Sequence, residues 1–264
     1  MQHHLDVHRC VVDLHFPSAH NHHRSRGTSY ATTVSMRLEQ GEQAYFKVCS
    51  EGEIVVKNSY ISDQSADVAL VPTNTECIVS GAAGSVLQVL EDSDRDRSKD
   101  IFEDLFGIRV KDLPDCDGPL YIDEKIREPV GTLGGARLSK PLRHPKNQVD
   151  WKAAILAFIR SQSRPPDYKD NLTQASVEDS LRRAFELASM RNYKSVVTVP
   201  FGTGMSNLSL EDAAEYMMPA ILWALNSRRI SIERVVITEA YPGKYLKFSS
   251  AVARLISKHR AHRG

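Results

Sequence analysis

The sequence of 264 residues has no long apolar run and almost no net charge. Apolar residues make up 41% of the chain. A transmembrane helix needs about 20 consecutive apolar residues, and no stretch of this sequence approaches that length. The first residues also lack the apolar core of a signal peptide. A formal net charge of +1 provides no overall field that would attract nucleic acid or a membrane surface. We therefore expect a cytoplasmic or nuclear protein with no membrane partner, and nucleic acid is not favoured as a partner.

Cysteine is also scarce, and histidine is unevenly distributed. The four cysteines are scattered without metal-ligand spacing, which suits a reducing compartment. Seven of the ten histidines precede residue 24. Neutral imidazole is a common zinc ligand, so a zinc site is one interpretation of this cluster. Since only Cys10 accompanies these histidines, we predict no metal and no cofactor. Residues 1–41 are then a His-rich extension, with candidate strands at 10–16 and 31–38, and residues 42–264 form the main domain.

Residues 67–86, DVALVPTNTECIVSGAAGSV, contain the first pattern that indicates a ligand. Residues 68–71 are a candidate buried strand, which Pro72 is expected to end because it has no backbone donor. Gly81 and Gly84 then bracket two alanines, and a helix-like apolar run follows at 86–90. Such a strand, small-residue loop and helix often hold a phosphate, because the loop exposes N–H groups and the helix N-terminus favours negative charge. A tight connection without a ligand is the alternative.

Residues 195–207, SVVTVPFGTGMSN, repeat this arrangement about 130 residues later. A strand at 195–199 precedes a glycine turn, and a helix is predicted for 208–225 with Ser209 as its N-cap. In an open α/β sheet, loops of this kind gather at the carboxyl ends of the strands, where ligands bind. The two loops are therefore expected to face one site.

The rest of the chain alternates between strand and helix patterns. Strands are predicted at 45–48, 54–56, 153–159 and 235–238, and helices at 100–106, 171–191 and 245–259. Residues 239–243 are predicted to be a loop, and 130–135 a turn or hairpin within an irregular segment. Trp151 and Phe158 are expected in the core. This alternation indicates an α/β protein whose mixed, mostly parallel sheet is covered on both faces.

Together, the two loops resemble those of the macro domain, an ADP-ribose-binding module, over roughly residues 53–255. Residues 71–74, VPTN, stand where that family has Asn-Ala-Ala-Asn, and 80–86, SGAAGSV, where it has a glycine-rich run. Residues 202–207, GTGMSN, stand at its second loop, and the paired alanines of the following helix are Ala213 and Ala214. The resemblance implies a three-layer α/β/α macro-like fold with a central mixed, mostly parallel sheet. It also implies ADP-ribose or ADP-ribosylated proteins as partners.

The resemblance further implies which residues bind the ligand. The diphosphate would lie against the backbone of both loops, at Gly81, Ala82, Ala83, Gly84, Ser85, Val86, Gly202, Thr203, Gly204, Met205 and Ser206. Asn74 is the candidate for a ribose, because its amide both donates and accepts hydrogen bonds. Its alternative role is that of a turn residue in the left-handed conformation.

Two tyrosines are implied at the base of the nucleotide. Tyr60 stands at the position of a family aspartate that holds the adenine amino group, and a phenol can instead stack on a base or hydrogen-bond to it. Asp63 is close by but out of register. Tyr241 follows the last strand, where the family has an aromatic residue near the adenine. Its alternative role is to cap the edge of the core.

Catalysis is less strongly implied than binding. The hydrolytic branches of the family carry two asparagines in the first motif, and some add an aspartate in the glycine-rich run. Here Val71 and Ala83 occupy two of these positions. We therefore expect binding, and if the chain is an enzyme we expect a slow mono-ADP-ribosyl hydrolase with Asn74 as the candidate catalytic residue. The alternative is a degenerate macro fold that serves as a protein- or nucleic-acid-interaction module without catalysis.

Overall fold

The structure, a computed structural model, describes residues 43–48, 52–75, 82–91, 96, 98–108, 110–112, 125–127, 132–142, 149–160, 172–204 and 206–261. The strands are β1 Gln43–Lys47, β2 Glu53–Lys57, β3 Val68–Asn74, β4 Val110–Asp112, β5 Lys125–Arg127, β6 Ala136–Leu138, β7 Ala153–Arg160, β8 Ser195–Thr198 and β9 Arg234–Thr238. The helices are α1 Ala82–Glu91, α2 Ile101–Phe106, α3 Gln174–Met190, α4 Leu210–Asn226 and α5 Pro242–Ala261, with a short 3₁₀ turn at Ile61–Asp63. The His-rich extension and its candidate strands lie outside the described residues.

Seven strands form one mixed sheet in the order β1-β2-β9-β8-β3-β7-β6. The five central strands run parallel, while β1 and β6 pair antiparallel at the two edges. β4 and β5 form a separate antiparallel pair. The prediction of a central mixed, mostly parallel sheet is therefore confirmed. The sequence analysis predicted none of β4, β5 and β6, which are three residues long and lie in or beside the irregular segment at 114–143.

Both faces of the sheet are apolar, and helices cover each of them. Along β7, Ile155 contributes to one buried cluster and its neighbour Leu156 to the opposite one, as the two-residue period of a strand requires. Helices α3, α4 and α5 pack on the first face, and α1 and α2 on the second. Trp151 and Phe158 lie in the core as predicted. Among the described residues, no helix is both long and apolar enough to cross a membrane.

Side-chain caps explain where three helices begin. The Ser209 hydroxyl accepts the N–H of Asp212 at 3.0 Å, which confirms the predicted N-cap of α4. Thr173 and Ser176 form a reciprocal capping box at the start of α3. The carboxylate of Asp100 accepts the N–H of Phe102 at 2.8 Å and begins α2. Each cap satisfies donors that have no partner within the helix.

Two local predictions are wrong. β3 does not end at Pro72 but continues to Asn74, and Pro72 is in register with Ala157 of β7. Its missing donor costs no ladder bond, because the pairing of β3 with β8 ends earlier, at Ala69. Residues 242 and 243 are not loop but the first residues of α5. Proline suits this position, since the first N–H groups of a helix have no intrahelical acceptor.

Asp67 ties the amino ends of three parallel strands together. One carboxylate oxygen accepts the N–H groups of Lys194 and Ser195, at 2.7 and 3.0 Å. The other oxygen lies 2.6 Å from the ammonium of Lys152, just before β7. Burial by itself raises the pKa of this carboxyl. The hydrogen bonds to the charged form outweigh burial, so the pKa of Asp67 lies below its ordinary value of 3.8.

We expect Asp67→Asn to lower the free energy of unfolding by about 1 to 2 kcal/mol at neutral pH, chiefly through weaker bonds to the two backbone N–H groups. The ion pair adds little, because the Lys152 side chain is mostly exposed. Since the folded-state pKa is depressed, the carboxylate stabilises the fold above the unfolded-state pKa, and this stabilisation is lost as the pH falls through the folded-state pKa. Urea titrations at several pH values measure the difference. A difference that does not shrink as the pH falls through the folded-state pKa would contradict this assignment.

Candidate ligand-binding cleft

A cleft of about 530 Å³ lies at the carboxyl ends of the five parallel strands. Every one of these strands, or the segment directly after it, contributes to the lining, which is the arrangement expected of a ligand site in an α/β sheet. The lining residues are Ser59, Tyr60, Ile61, Pro72, Thr73, Asn74, Ser85, Ile159, Arg160, Val199, Pro200, Gly202, Thr203, Gly204, Ser206, Thr238, Glu239, Ala240, Tyr241 and Lys244. Eight of the fourteen residues singled out from the sequence are in this set.

The first turn of α1 forms one wall of the cleft. Ser85 lines it, and the N–H groups of a first helical turn have no acceptor within their own helix. Gly84 belongs to the same turn but not to the lining. Val86 is fully buried in the core, so its side chain is not available to a ligand. Ala82 and Ala83, also singled out from the sequence, are the first two residues of α1.

The turn after β8 forms the facing wall. The N–H groups of Leu208 and Asn207 donate to the carbonyls of Gly202 and Gly204, at 3.0 and 3.1 Å. These bonds close the turn on itself. Within the described part of the chain, the N–H groups of Thr203 and Gly204 donate no hydrogen bond. Thr203 and Gly204 both line the cleft, so these backbone donors are available for an anion there. Gly81 and Met205, both singled out from the sequence, lie outside the described residues.

Asn74 lines the cleft at the carboxyl ends of the paired strands β3 and β7. It is the last residue of β3, is 1% exposed, and is paired with Arg160 across a bulge. It does not adopt the left-handed conformation, so the alternative role as a turn residue is wrong. Arg160 also lines the cleft, and the sequence analysis missed it. Its signal was available, since it directly follows the predicted strand 153–159.

Two exposed aromatic side chains lie at the opposite end, beyond β2 and β9. Tyr60 is 61% exposed and Tyr241 is 64% exposed, so Tyr241 does not cap the core. The ammonium of Lys244 lies 5.2 Å from the centre of the Tyr241 ring, within the range of a cation–π contact. Lys244 was not singled out from the sequence, because it lies on a helix that was predicted to begin after it.

Glu239 is another lining residue that was not singled out from the sequence. It directly follows β9, and one of its carboxylate oxygens accepts the N–H of Tyr241 at 3.0 Å. It is only 9% exposed, although it is charged and lines the cleft. In the part of the chain that the structure describes, no group of three or more His, Cys, Asp or Glu side chains has the arrangement of a metal site.

No family sequence model matches this chain, and none of the curated proteins matches it. Solved structures do match. The Oceanobacillus iheyensis macrodomain with ADP is 14% identical, with 82% of this chain and 97% of that chain covered and a TM-score of 0.53. A glycine-to-valine mutant of that macrodomain with ADPR is 13% identical, with 82% of this chain and 100% of that chain covered and a TM-score of 0.54.

A Trypanosoma brucei macrodomain in complex with ADP is 13% identical, with 75% of this chain and 68% of that chain covered and a TM-score of 0.51. These likenesses, together with the mixed sheet and its two helical layers, show that the chain has the three-layer α/β/α fold of macrodomains. The predicted fold is confirmed.

Proposed function

We propose that this protein binds ADP-ribose, free or attached to a protein, in the cleft at the carboxyl ends of the parallel strands. The observation that carries the proposal is that the first turn of α1, at Ser85, and the turn after β8 line the same cleft, and that the N–H groups of Thr203 and Gly204 donate no hydrogen bond within the described residues. β3 and β8 are neighbours in the sheet, so the two turns lie on either side of one position. Convergent backbone donors at a helix N-terminus are suited to a diphosphate.

The order of the strands matches the order of the parts of this ligand. The exposed tyrosines follow β2 and β9, the glycine turn follows β8, Ser85 lies on the helix after β3, and Asn74 and Arg160 are the last residues of β3 and β7. Adjacent strands are about 4.8 Å apart, so the ends of β2 and β9 lie between about 5 and 14 Å from the ends of β8 and β3. An adenosine spans such a distance between its base and its phosphates. The second ribose would then lie at Asn74, whose amide suits ribose hydroxyls.

The structural neighbours agree with this ligand, because the Oceanobacillus macrodomain structures hold ADP or ADPR and the Trypanosoma structure holds ADP. At 13 to 14% identity they bear on the fold, and the residues of this cleft carry the proposal. The resemblance in the sequence suggested the same ligand independently.

We propose binding without rapid hydrolysis of ADP-ribosylated proteins. The Val71 side chain is 2% exposed and belongs to the core cluster beneath α1 and α2, so it offers no polar group to the cleft. Asn74 remains the candidate catalytic residue for slow mono-ADP-ribosyl hydrolysis. Positioned water and a base are needed for that reaction in addition to the phosphate site.

The proposal is tested by titration calorimetry of the full chain with ADP-ribose and with AMP. We expect ADP-ribose to bind, and AMP to bind at least about tenfold more weakly, since it lacks the diphosphate that the two turns would hold. ADP serves as the control, because it keeps the diphosphate and lacks the second ribose. Equal binding of AMP and ADP-ribose would contradict the role of the turns. Binding of none of the three would leave the interaction-module alternative.

A further inference from the structure

Glu239 places a carboxylate at the end of the cleft where the two tyrosines lie. The residue is 9% exposed and lines the cleft directly after β9. Its backbone is held on both sides, because its N–H donates to the carbonyl of Lys57 at 2.9 Å and its carbonyl accepts the side-chain amide of Asn58 at 2.8 Å. The backbone of Glu239 is therefore tied to the end of β2 directly after β9 ends.

This carboxylate is incompletely satisfied by the protein. Within the described residues, its only side-chain hydrogen bond comes from the N–H of Tyr241, to one oxygen, at 3.0 Å. No lysine or arginine of the described residues lies within 4 Å of it: Lys244, which shares the lining, is placed against the Tyr241 ring. The second oxygen has no protein donor within the described residues and is not among their buried atoms, so it can accept a hydrogen bond from a ligand in the cleft that Glu239 lines.

The surroundings narrow the chemistry of that donor. Tyr60 follows β2 and Tyr241 follows β9, and both side chains are exposed at this end of the cleft. Aromatic rings of this kind stack on planar ligands. A planar ring that carries an N–H donor at its edge satisfies both the rings and the carboxylate. A nucleobase with an exocyclic amino group is such a ligand.

We propose that Glu239 determines the base specificity of the cleft, by accepting a hydrogen bond from the exocyclic amino group of adenine. This inference rests on the proposed function. The sequence resemblance places an amine-holding carboxylate at the position of Tyr60, after β2. Here the carboxylate lies instead after β9, the neighbouring strand, which is paired with β2 up to Thr238.

A base that lacks the amino group should be rejected. In the deaminated analogue of ADP-ribose, in which hypoxanthine replaces adenine, a carbonyl oxygen stands where the amine was. Two acceptors would then face each other, and the bound ligand would separate the carboxylate oxygen from water without supplying a donor. A ribose hydroxyl is the other possible donor to Glu239, but both ligands carry the same riboses, so it would produce no discrimination.

The experiment is calorimetry of the full chain with ADP-ribose and with its deaminated analogue, on three proteins. We expect the wild type to bind ADP-ribose about tenfold or more tightly than the analogue, and Glu239→Gln to reduce this ratio to about threefold or less. Glutamine keeps the acceptor for the N–H of Tyr241, and its amide can also donate to a carbonyl. Asp63→Asn is the matched control, since Asp63 is an exposed carboxylate near β2 that does not line the cleft. It should keep the wild-type ratio.

Equal affinity of the wild type for the two ligands, or an unchanged ratio in Glu239→Gln, would overturn the inference and leave the proposed function standing. No binding of ADP-ribose to the wild type would overturn both. If Asp63→Asn loses the discrimination while Glu239→Gln keeps it, the specificity belongs to Asp63, and the inference is overturned. If Glu239→Gln does not fold, Glu239→Asp withdraws the oxygens by one methylene and should reduce the same ratio.

Discussion

Gly204→Glu is expected to weaken ADP-ribose binding by about a hundredfold or more while the protein stays folded. Gly204 is exposed in the turn after β8, and its N–H group donates no hydrogen bond within the described residues. If this turn holds a diphosphate, the backbone must approach the phosphate closely, and any side chain on that face crowds it. A carboxylate adds repulsion in a partly desolvated site.

The fold should tolerate this change, because a Cβ at position 204 meets no atom within 4 Å. Calorimetry measures the affinity, and a urea titration verifies the stability of the variant. Gly204→Gln separates size from charge and should lose less affinity than the glutamate variant. Met190→Glu introduces the same charge at an exposed site on α3, whose end lies away from the cleft, and should bind as the wild type does. Wild-type affinity in a folded Gly204→Glu protein would show that the turn does not hold phosphate.

Gly202→Ala, two residues earlier, is expected to lower the free energy of unfolding by about 2 to 4 kcal/mol. Gly202 has φ of +76°, a conformation that costs a residue with a side chain about 1 to 2 kcal/mol. The new Cβ would also lie 3.0 Å from Leu172 and 3.2 Å from Leu208, and overpacking of this kind costs about 1 to 3 kcal/mol. Gly202 therefore serves the backbone of the turn.

Urea titration of this variant measures the loss, with Gly204→Ala as the matched control in the same turn. The control should lose no stability, since its Cβ meets open space and its φ is not positive. A loss of similar size in both variants would mean that the whole turn, and not the conformation of Gly202, is sensitive to substitution. The two glycines look alike in the sequence, so only their backbone conformations and neighbours lead to opposite expectations.

Much of the fold could be predicted from local patterns in the sequence. The apolar runs at β3, β7, β8 and β9 identify strands buried on both faces, because each face of the sheet is covered by helices. Ser209 identifies the start of α4, because a hydroxyl that accepts from the first turn is a local interaction. The two glycine-containing patterns predicted an anion site, and the structure places Ser85 from the first and the turn after β8 from the second at one cleft.

Local patterns fail where the outcome depends on a neighbouring strand. Pro72 does not end β3, because the proline lacks only the N–H that would bond to β8. The pairing of β3 with β8 already ends at Ala69, whereas the pairing with β7 continues past Pro72. Val86 lies in a glycine-rich pattern typical of ligand loops, yet the packing of α1 on the sheet buries it. The strands β4, β5 and β6 have only three residues each, which is too short to show the alternation of apolar and polar residues that identifies a strand.

The sequence by itself determined the class of fold and the two turns, because strand periodicity, helix caps and glycine turns are encoded within a few neighbouring residues. Only the tertiary structure decided which side chains share the cleft. Glu239 and Tyr60 are 179 positions apart in the chain, and they lie at one end of the cleft because β2 pairs with β9. Strand order sets such distances, and since it arises from packing between distant segments, no single stretch of the chain contains it.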